Sequence, residues 1–318
     1  MTKLKYRQPL ASVILMLTFI YTTFAVPANA VIDQKVSVQQ VSIKGNRYQI
    51  PAILTLPESK TQQPLSIVIM LHGTASNKNE VGNLYQRMAT QLAEHNIASI
   101  RFDFAGSGES PVDYQLYDLE SAVNDVLSVY QFIQQQKKIQ HNAIHLLGFS
   151  QGGLIAQLAA INPKLPVKSM VTWSTVAGNG ISSFKPFFDD YQQEAKENGF
   201  AAIKYPWLAQ ALNFSDKWFT QIRDNTSLTQ MVSYQGSLLA VAGEADKTVP
   251  WQNSLSLVKG AKQAKASLYL IKNANHIYNV LAKDGSKLNT DQTITEELLG
   301  VTRHFFTEQT TQAFLNKD

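Results

Sequence analysis

The stretch HLLGFSQGG at 145–153 sets Ser150 between Gly148 and Gly152, each two residues away. A serine hydroxyl is a weak nucleophile at neutral pH and becomes an effective one when a base takes its proton and a third group orients that base. Small residues at 148 and 152 leave room for a sharp strand-to-helix turn that holds the hydroxyl clear of the backbone. A side chain at either position would collide with neighbouring backbone in such a turn. The chemistry open to this serine is attack on a carbonyl carbon with a covalent intermediate. The alternative is a glycine-rich connection whose serine only caps a helix.

The base must come from elsewhere in the chain. His95, His141 and His145 precede the serine or lie along the elements that lead to it, His72 ends an apolar run, and His304 falls within the last amphipathic pattern. His276, in KNANHIYN, lies in a loop just past a late strand, at the edge where the ligand-binding loops of an open parallel sheet gather. It is the histidine expected to reach Ser150. The loop in AVAGEADKTVP supplies two acids, Glu244 and Asp246. Asp246 is preferred because it lies deeper, ahead of Val249 and Pro250, where a carboxylate can turn toward the imidazole and fix its tautomer. Glu244 as the acid, with Asp246 as a turn cap, is the alternative. A developing oxyanion needs rigid donors, which backbone N–H groups provide. Gln151, first residue after the serine, offers one. Thr74 in HGTASNKNE offers the other, with Gly73 letting the chain turn inward, unless Thr74 is simply a turn residue; His72 is expected to be structural. His141 and His145 straddle a loop and a strand with no carboxylate at the spacing a metal needs, so neither metal nor other cofactor is expected.

These residues need elements to hold them. Two extended runs across 36–56 flank a Gly-Asn pair at 45 and 46 and read as a hairpin at a sheet edge. Continuous apolar runs follow, LSIVIMLHG, IASIRFDF, AIHLLGFS and KSMVTWS, of the kind that fits strands covered on both faces. They alternate with the helical patterns LYQRMATQLAEH, about 118–136, and QGGLIAQLAAI. The alternation stops after Ser174 for about sixty residues. It resumes with GSLLAVAG, a helix near 254–264, ASLYLIK and a helix near 293–307. Such alternation implies right-handed crossovers and a doubly wound, mostly parallel α/β sheet.

Residues 1–30 read as an export signal. Lys3, Lys5 and Arg7 precede an apolar run from about Leu10 to Phe24, and ANA at 28–30 offers a cleavage site after Ala30. A retained anchor is the alternative, but the run is short against the ~20 residues of a bilayer span. Without this segment, 25 Lys and Arg oppose 24 Asp and Glu. That leaves +1 with no basic block, so no nucleic-acid partner is expected. Cysteine is absent, which excludes a disulfide framework and a lipidated cysteine. The remaining 31–318 is expected to be one domain, exported to the periplasm or medium, with no stable membrane span.

Taken in order, LHGTASNKNE, IRFDFAGSGES, GFSQGG, GEADKTVP and NANHIYN resemble the motifs of the α/β-hydrolase superfamily. Within it the chain is similar to bacterial cinnamoyl and feruloyl esterases and to serine-peptidase-like hydrolases, over roughly residues 38–308. Relatives often carry a bulky apolar residue at 74, a polar or charged one at 105 and histidine at 149. Here Thr74, Ala105 and Phe149 stand instead; none removes the catalytic residues, but Thr74 and Ala105 set the alcohol-side pocket apart, so feruloyl activity is not carried over from the resemblance. The resemblance implies serine ester hydrolysis, with the chain order Ser, Asp, His, and it places a helical lid at about 174–235. Eleven of those 62 residues are aromatic against 20 of the other 256, an enrichment that favours a small-molecule ester with a hydrophobic or aromatic acyl group. Most of Phe184, Phe187, Phe188, Tyr191, Tyr205, Trp207, Trp218 and Phe219 are expected to pack the segment, and a minority to line the pocket. A peptidase, lipase or acyltransferase on the same residues, or a non-catalytic binding protein on the same fold, are the alternatives.

Overall fold

The computed structural model describes residues 36–58 and 63–315; the expected export signal at 1–30 lies outside them. Strands β1 (Val36–Lys44) and β2 (Gln49–Pro57) form the edge hairpin, antiparallel from Val36↔Pro57 to Lys44↔Gln49. Then β3 (Leu65–Leu71), α1 (Leu84–Glu94), β4 (Ala98–Phe102), α2 (Leu119–Gln134), β5 (Ile139–Phe149), α3 (Gln151–Ala160) and β6 (Val167–Trp173) alternate. An inserted segment holds α4 (Lys185–Asn198), β7 (Phe200–Ile203), β8 (Leu212–Ser215), α5 (Asp216–Arg223) and α6 (Ser227–Gln230). The sheet resumes with β9 (Ser237–Gly243), α7 (Gln252–Gly260), β10 (Lys265–Ile271) and α8 (Thr293–Leu315). Among the described residues no helix is long and apolar enough to cross a membrane.

The strand order is β1-β2-β4-β3-β5-β6-β9-β10, parallel from β4 to β10. Every residue of β3 is buried, and period-two alternation divides them between two cores. Ile67, Ile69 and Leu71 join Val126 and Ile155 on one face, and Val68 and Met70 join Leu84, Met88 and Leu299 on the other. The chain leaves β3 toward β4 and leaves β5 toward β6. The loops after β3 and β5 therefore diverge, which opens a crevice at the carboxyl ends of these two neighbours.

The inserted segment departs from the helical expectation, because β7 and β8 pair as an antiparallel ribbon from Phe200↔Ser215 to Ile203↔Leu212. The buried Trp218 is its centre. Phe184, Phe187, Phe214 and Phe219 surround that indole with ring centroids 4.9–5.7 Å away. The last helix also runs past 307 to Leu315, and α7 begins earlier and stops earlier than 254–264.

Where the hairpin meets α2, the Tyr48 hydroxyl donates to Asp125 Oδ2 at 2.7 Å. Burial, reinforced by Asp118, raises the Asp125 carboxyl to about 7, against the opposing pull of the Tyr48 bond and Arg47. The folded protein thus holds this proton more tightly than the unfolded chain does. The stability so gained is complete below the ordinary carboxylate value and is lost as pH rises from there to about 7. Asp125→Asn keeps an acceptor for Tyr48 and is expected to stabilise the protein at pH 8 by about 2–4 kcal/mol, with little gain near pH 4. Urea unfolding at both pH values checks this, and an equal gain at both would contradict it.

Candidate active site

Ser150 joins β5 to α3 with φ 54° and ψ −120°, a region that costs a non-glycine residue free energy. Three backbone bonds hold it there. Ser150 N–H donates to the Trp173 carbonyl at 2.9 Å, and the Ser150 carbonyl accepts from Gly153 N–H at 3.0 Å and Val176 N–H at 3.1 Å. The flanking glycines are needed for space. A Cβ at 148 would lie 2.4 Å from the Gly152 carbonyl oxygen, one at 152 would lie 2.0 Å from that of Leu71, and one at 153 would lie 2.2 Å from Thr175 Oγ1.

His276, in the loop after β10, brings Nε2 to 3.1 Å from Ser150 Oγ and Nδ1 to 2.8 Å from Asp246 Oδ2. A carboxylate can only accept, so Nδ1 carries the proton and Nε2 is left to accept from the serine. Asp246, in the loop after β9, has a fully buried side chain. Its Oδ1 accepts the Thr248 and Val249 N–H groups, both at 2.9 Å. One carboxylate therefore caps its loop and holds the imidazole, two roles that the sequence offered as alternatives. Glu244 is exposed, and among the described residues its carboxylate accepts only the Asn273 N–H at 3.3 Å. The Phe149 ring covers the His276 imidazole with centroids 5.1 Å apart. The other histidines lie elsewhere: His145 is buried against Ser169 Oγ at 2.7 Å, His95 and His141 bond to backbone carbonyls, and His304 lies 3.2 Å from Glu308.

Gln151 follows the serine directly, and Thr74 lies in the loop after β3. Their side chains meet, Thr74 Oγ1 donating to Gln151 Oε1. Among the described residues neither backbone N–H has a hydrogen-bond acceptor. Gly73 does not take the left-handed conformation. What it supplies is clearance, since a Cβ there would sit 3.2 Å from Ser150 Cβ. His72 Nε2 accepts from Phe104 N–H at 3.1 Å, so its Nδ1–H donates to the Gly73 carbonyl at 2.8 Å. The sequence reading passed over the rest of this loop. Lys78 Nζ reaches Asp103 at 2.6 Å and Glu109 at 3.0 Å, and Asp103 Oδ1 accepts Lys78 N–H at 2.7 Å. Lys78, Asp103 and Glu109 fall within the motifs LHGTASNKNE and IRFDFAGSGES, which assign none of them a role.

Of the eight aromatic residues named in the inserted segment, Phe184, Phe188, Trp218 and Phe219 are buried in its core. Trp207 is 67 % exposed, and its Nε1–H donates to the Ala75 carbonyl at 2.9 Å. Tyr205 lies against it, ring centroids 5.2 Å apart. The pair is thus tied to the residue that follows Thr74. A carboxylate–imidazole–hydroxyl chain can remove a proton from the serine as its oxygen bonds to carbon, and N–H groups left without an acceptor near it can stabilise the oxyanion that results. Among the described residues no cluster of His, Asp or Glu has the arrangement of a metal site.

Residues 62–199 match the protein family described as serine aminopeptidase, S33. The uncharacterized peptidase YtmA of Bacillus subtilis is 28% identical over 156 residues, 49% of this chain and 54% of that protein. The chain thus spans about half the length of YtmA. The uncharacterized protein YfhR of Salmonella typhi is 25% identical over 228 residues, 72% of this chain and 68% of that one. Among solved structures, Est1E of Butyrivibrio proteoclasticus with ferulic acid bound superposes with a TM-score of 0.65 at 19% identity, covering 85% of this chain and 99% of that one. Dienelactone hydrolase from Anabaena variabilis gives a TM-score of 0.57 at 14% identity, covering 86% and 98%. At these identities the structural likeness is one of fold, with a mostly parallel eight-stranded sheet and flanking helices.

Proposed function

We propose that this chain, which has the α/β-hydrolase fold and hydrolase relatives, cleaves carboxylic esters through an acyl-enzyme on Ser150. The observation that carries the reading is the unbroken chain from Asp246 through His276 to Ser150, beside Thr74 and Gln151, whose N–H groups have no acceptor among the described residues. Ser150 Oγ bonds to the carbonyl carbon as its proton passes to His276 Nε2, and the carbonyl oxygen takes the negative charge between the two N–H groups. The bond to the alcohol then breaks, and the alcohol leaves with the proton from Nε2. Water, deprotonated by the same nitrogen, releases the acid and restores the serine.

For the acyl group we favour a hydrophobic or aromatic one. The exposed Trp207 beside the oxyanion loop supports this, as does a structural neighbour that binds ferulic acid. The segment 174–235 would then act as a lid over the site. A peptidase is the second reading, favoured by the family description and by the name of YtmA. A fluorophosphonate probe followed by a panel of p-nitrophenyl, feruloyl and peptide substrates tests both. Turnover of peptides but not of esters would overturn the ester reading. Trp207→Ala is expected to raise KM for an aryl-acyl ester about tenfold, the worth of one lost aromatic contact, while p-nitrophenyl acetate changes less than about twofold. Equal effects on both esters would remove Trp207 from acyl recognition.

A further inference from the structure

Glu80 ends the loop that carries Thr74, with φ 60° and ψ 169°, a part of backbone space that is essentially reserved for glycine. Its carboxylate is buried, and among the described residues it forms no ion pair. A strained backbone and a desolvated charge without a cation both work against folding. Both are maintained for two bonds. Oε1 accepts the Gly73 N–H at 2.5 Å, and Oε2 accepts the Val81 N–H at 2.9 Å. A loop that only had to close would do so more favourably with glycine at position 80.

The geometry points to Glu80 as a positioning residue for the oxyanion site, one that touches neither Ser150 nor His276 and acts by aiming the Thr74 N–H. The reason lies in the planarity of peptides. Two planes meet at the Gly73 Cα. The first carries the Gly73 N–H, and Glu80 Oε1 holds it. The second carries the Gly73 carbonyl at one end and the Thr74 N–H, pointing the opposite way, at the other; His72 Nδ1–H holds that carbonyl at 2.8 Å. With both planes pinned, the Thr74 N–H has one direction left to it, opposite to the Gly73 carbonyl that His72 holds. The Thr74–Gln151 side-chain bond then sets its separation from the second donor. Glycine at 73 is otherwise the residue best able to rotate out of this arrangement. Without the carboxylate, the Gly73 N–H becomes an unsatisfied donor free to turn inward.

This inference rests on the serine ester reading, and one experiment separates the two. Wild type, Glu80→Ala, Glu80→Gly and Glu80→Gln are assayed with p-nitrophenyl butyrate. The folded sites in each preparation are counted by fluorophosphonate labelling of Ser150, and a trifluoromethyl ketone measures oxyanion binding. Alanine and glycine are expected to lower kcat per labelled site by about 30- to 100-fold, with KM within about threefold and ketone affinity falling in step with kcat. Glutamine keeps an oxygen for the Gly73 N–H but turns an NH2 group toward that of Val81, and should recover most of the rate. Glycine relieves the φ strain, so Glu80→Gly should melt no lower than Glu80→Ala while being as inactive. A residue that served only stability would show activity and melting temperature falling together, with kcat per labelled site unchanged. That result, or a loss confined to KM, overturns the proposal. If Glu80→Ala does not fold, the glycine and glutamine variants carry the test alone. Failure of the wild type to label at Ser150 would instead overturn the ester reading, and this inference with it.

Discussion

Ser150→Ala is expected to lower kcat for the best ester substrate by about 10⁵- to 10⁶-fold and to abolish fluorophosphonate labelling, while the protein folds as before. The hydroxyl oxygen is the atom that would bond to carbon, and no other hydroxyl lies within hydrogen-bonding distance of His276 Nε2 among the described residues. The residual rate would come from the two N–H donors acting on a bound substrate attacked directly by water, worth about 10³- to 10⁴-fold over solution. Little stability should be lost. The turn at 150 is held by backbone bonds to Trp173, Gly153 and Val176, none of which uses the hydroxyl. Alanine bears the same left-handed strain that serine does, so the change in unfolding free energy should stay within about 1 kcal/mol. Equal labelling of both proteins, or a kcat reduced by less than about tenfold, would mean that the reaction does not run through this serine.

How far the site could be read from sequence follows from where its residues sit. Ser150, Asp246 and His276 each follow an apolar run that ends in a short polar loop, so their meeting at one edge needs only that the runs lie parallel in one sheet. The order β4-β3-β5 was not readable in this way, because β3 and β4 are both short strands buried throughout and neither carries a mark of its partner. The inserted ribbon escaped for a related reason. FAAI and LNFS are four residues each, too short for a period of two to stand out against flanking helical pattern. The bounds of the late helices were set by stop signals that the hydrophobic pattern does not weigh: α7 ends at Gly260, whereas no glycine or proline interrupts α8 between 301 and 315. Glu80 is the deepest omission. A glutamate in a polar loop reads as solvated surface, and only coordinates reveal that its φ is positive and its carboxylate turned inward.

At Asp246 the proposed chemistry and the architecture share the same atoms. Asp246 accepts three N–H donors, the imidazole on Oδ2 and the backbone of Thr248 and Val249 on Oδ1. Asp246→Asn separates these duties, because the amide oxygen can keep both backbone donors while its NH2 group replaces the oxygen that faced the imidazole. Two donors cannot face each other, so His276 must change tautomer, accept at Nδ1 and carry its proton on Nε2. In that form it has no lone pair for the proton of Ser150. The expected result is a fall in kcat of about 10⁴-fold, or roughly 5.5 kcal/mol of barrier, with KM and folding little changed. Asp246→Ala should lose as much activity and also destabilise the loop, since it strips the cap from Thr248 and Val249 as well. Glu244→Gln is the control, and its kcat should stay within about twofold of wild type because its one bond lies outside the chain of groups that reaches the serine. Were Glu244→Gln to lose as much as Asp246→Asn, or Asp246→Asn to retain more than about a tenth of wild-type activity, the imidazole would have to be oriented by some other group.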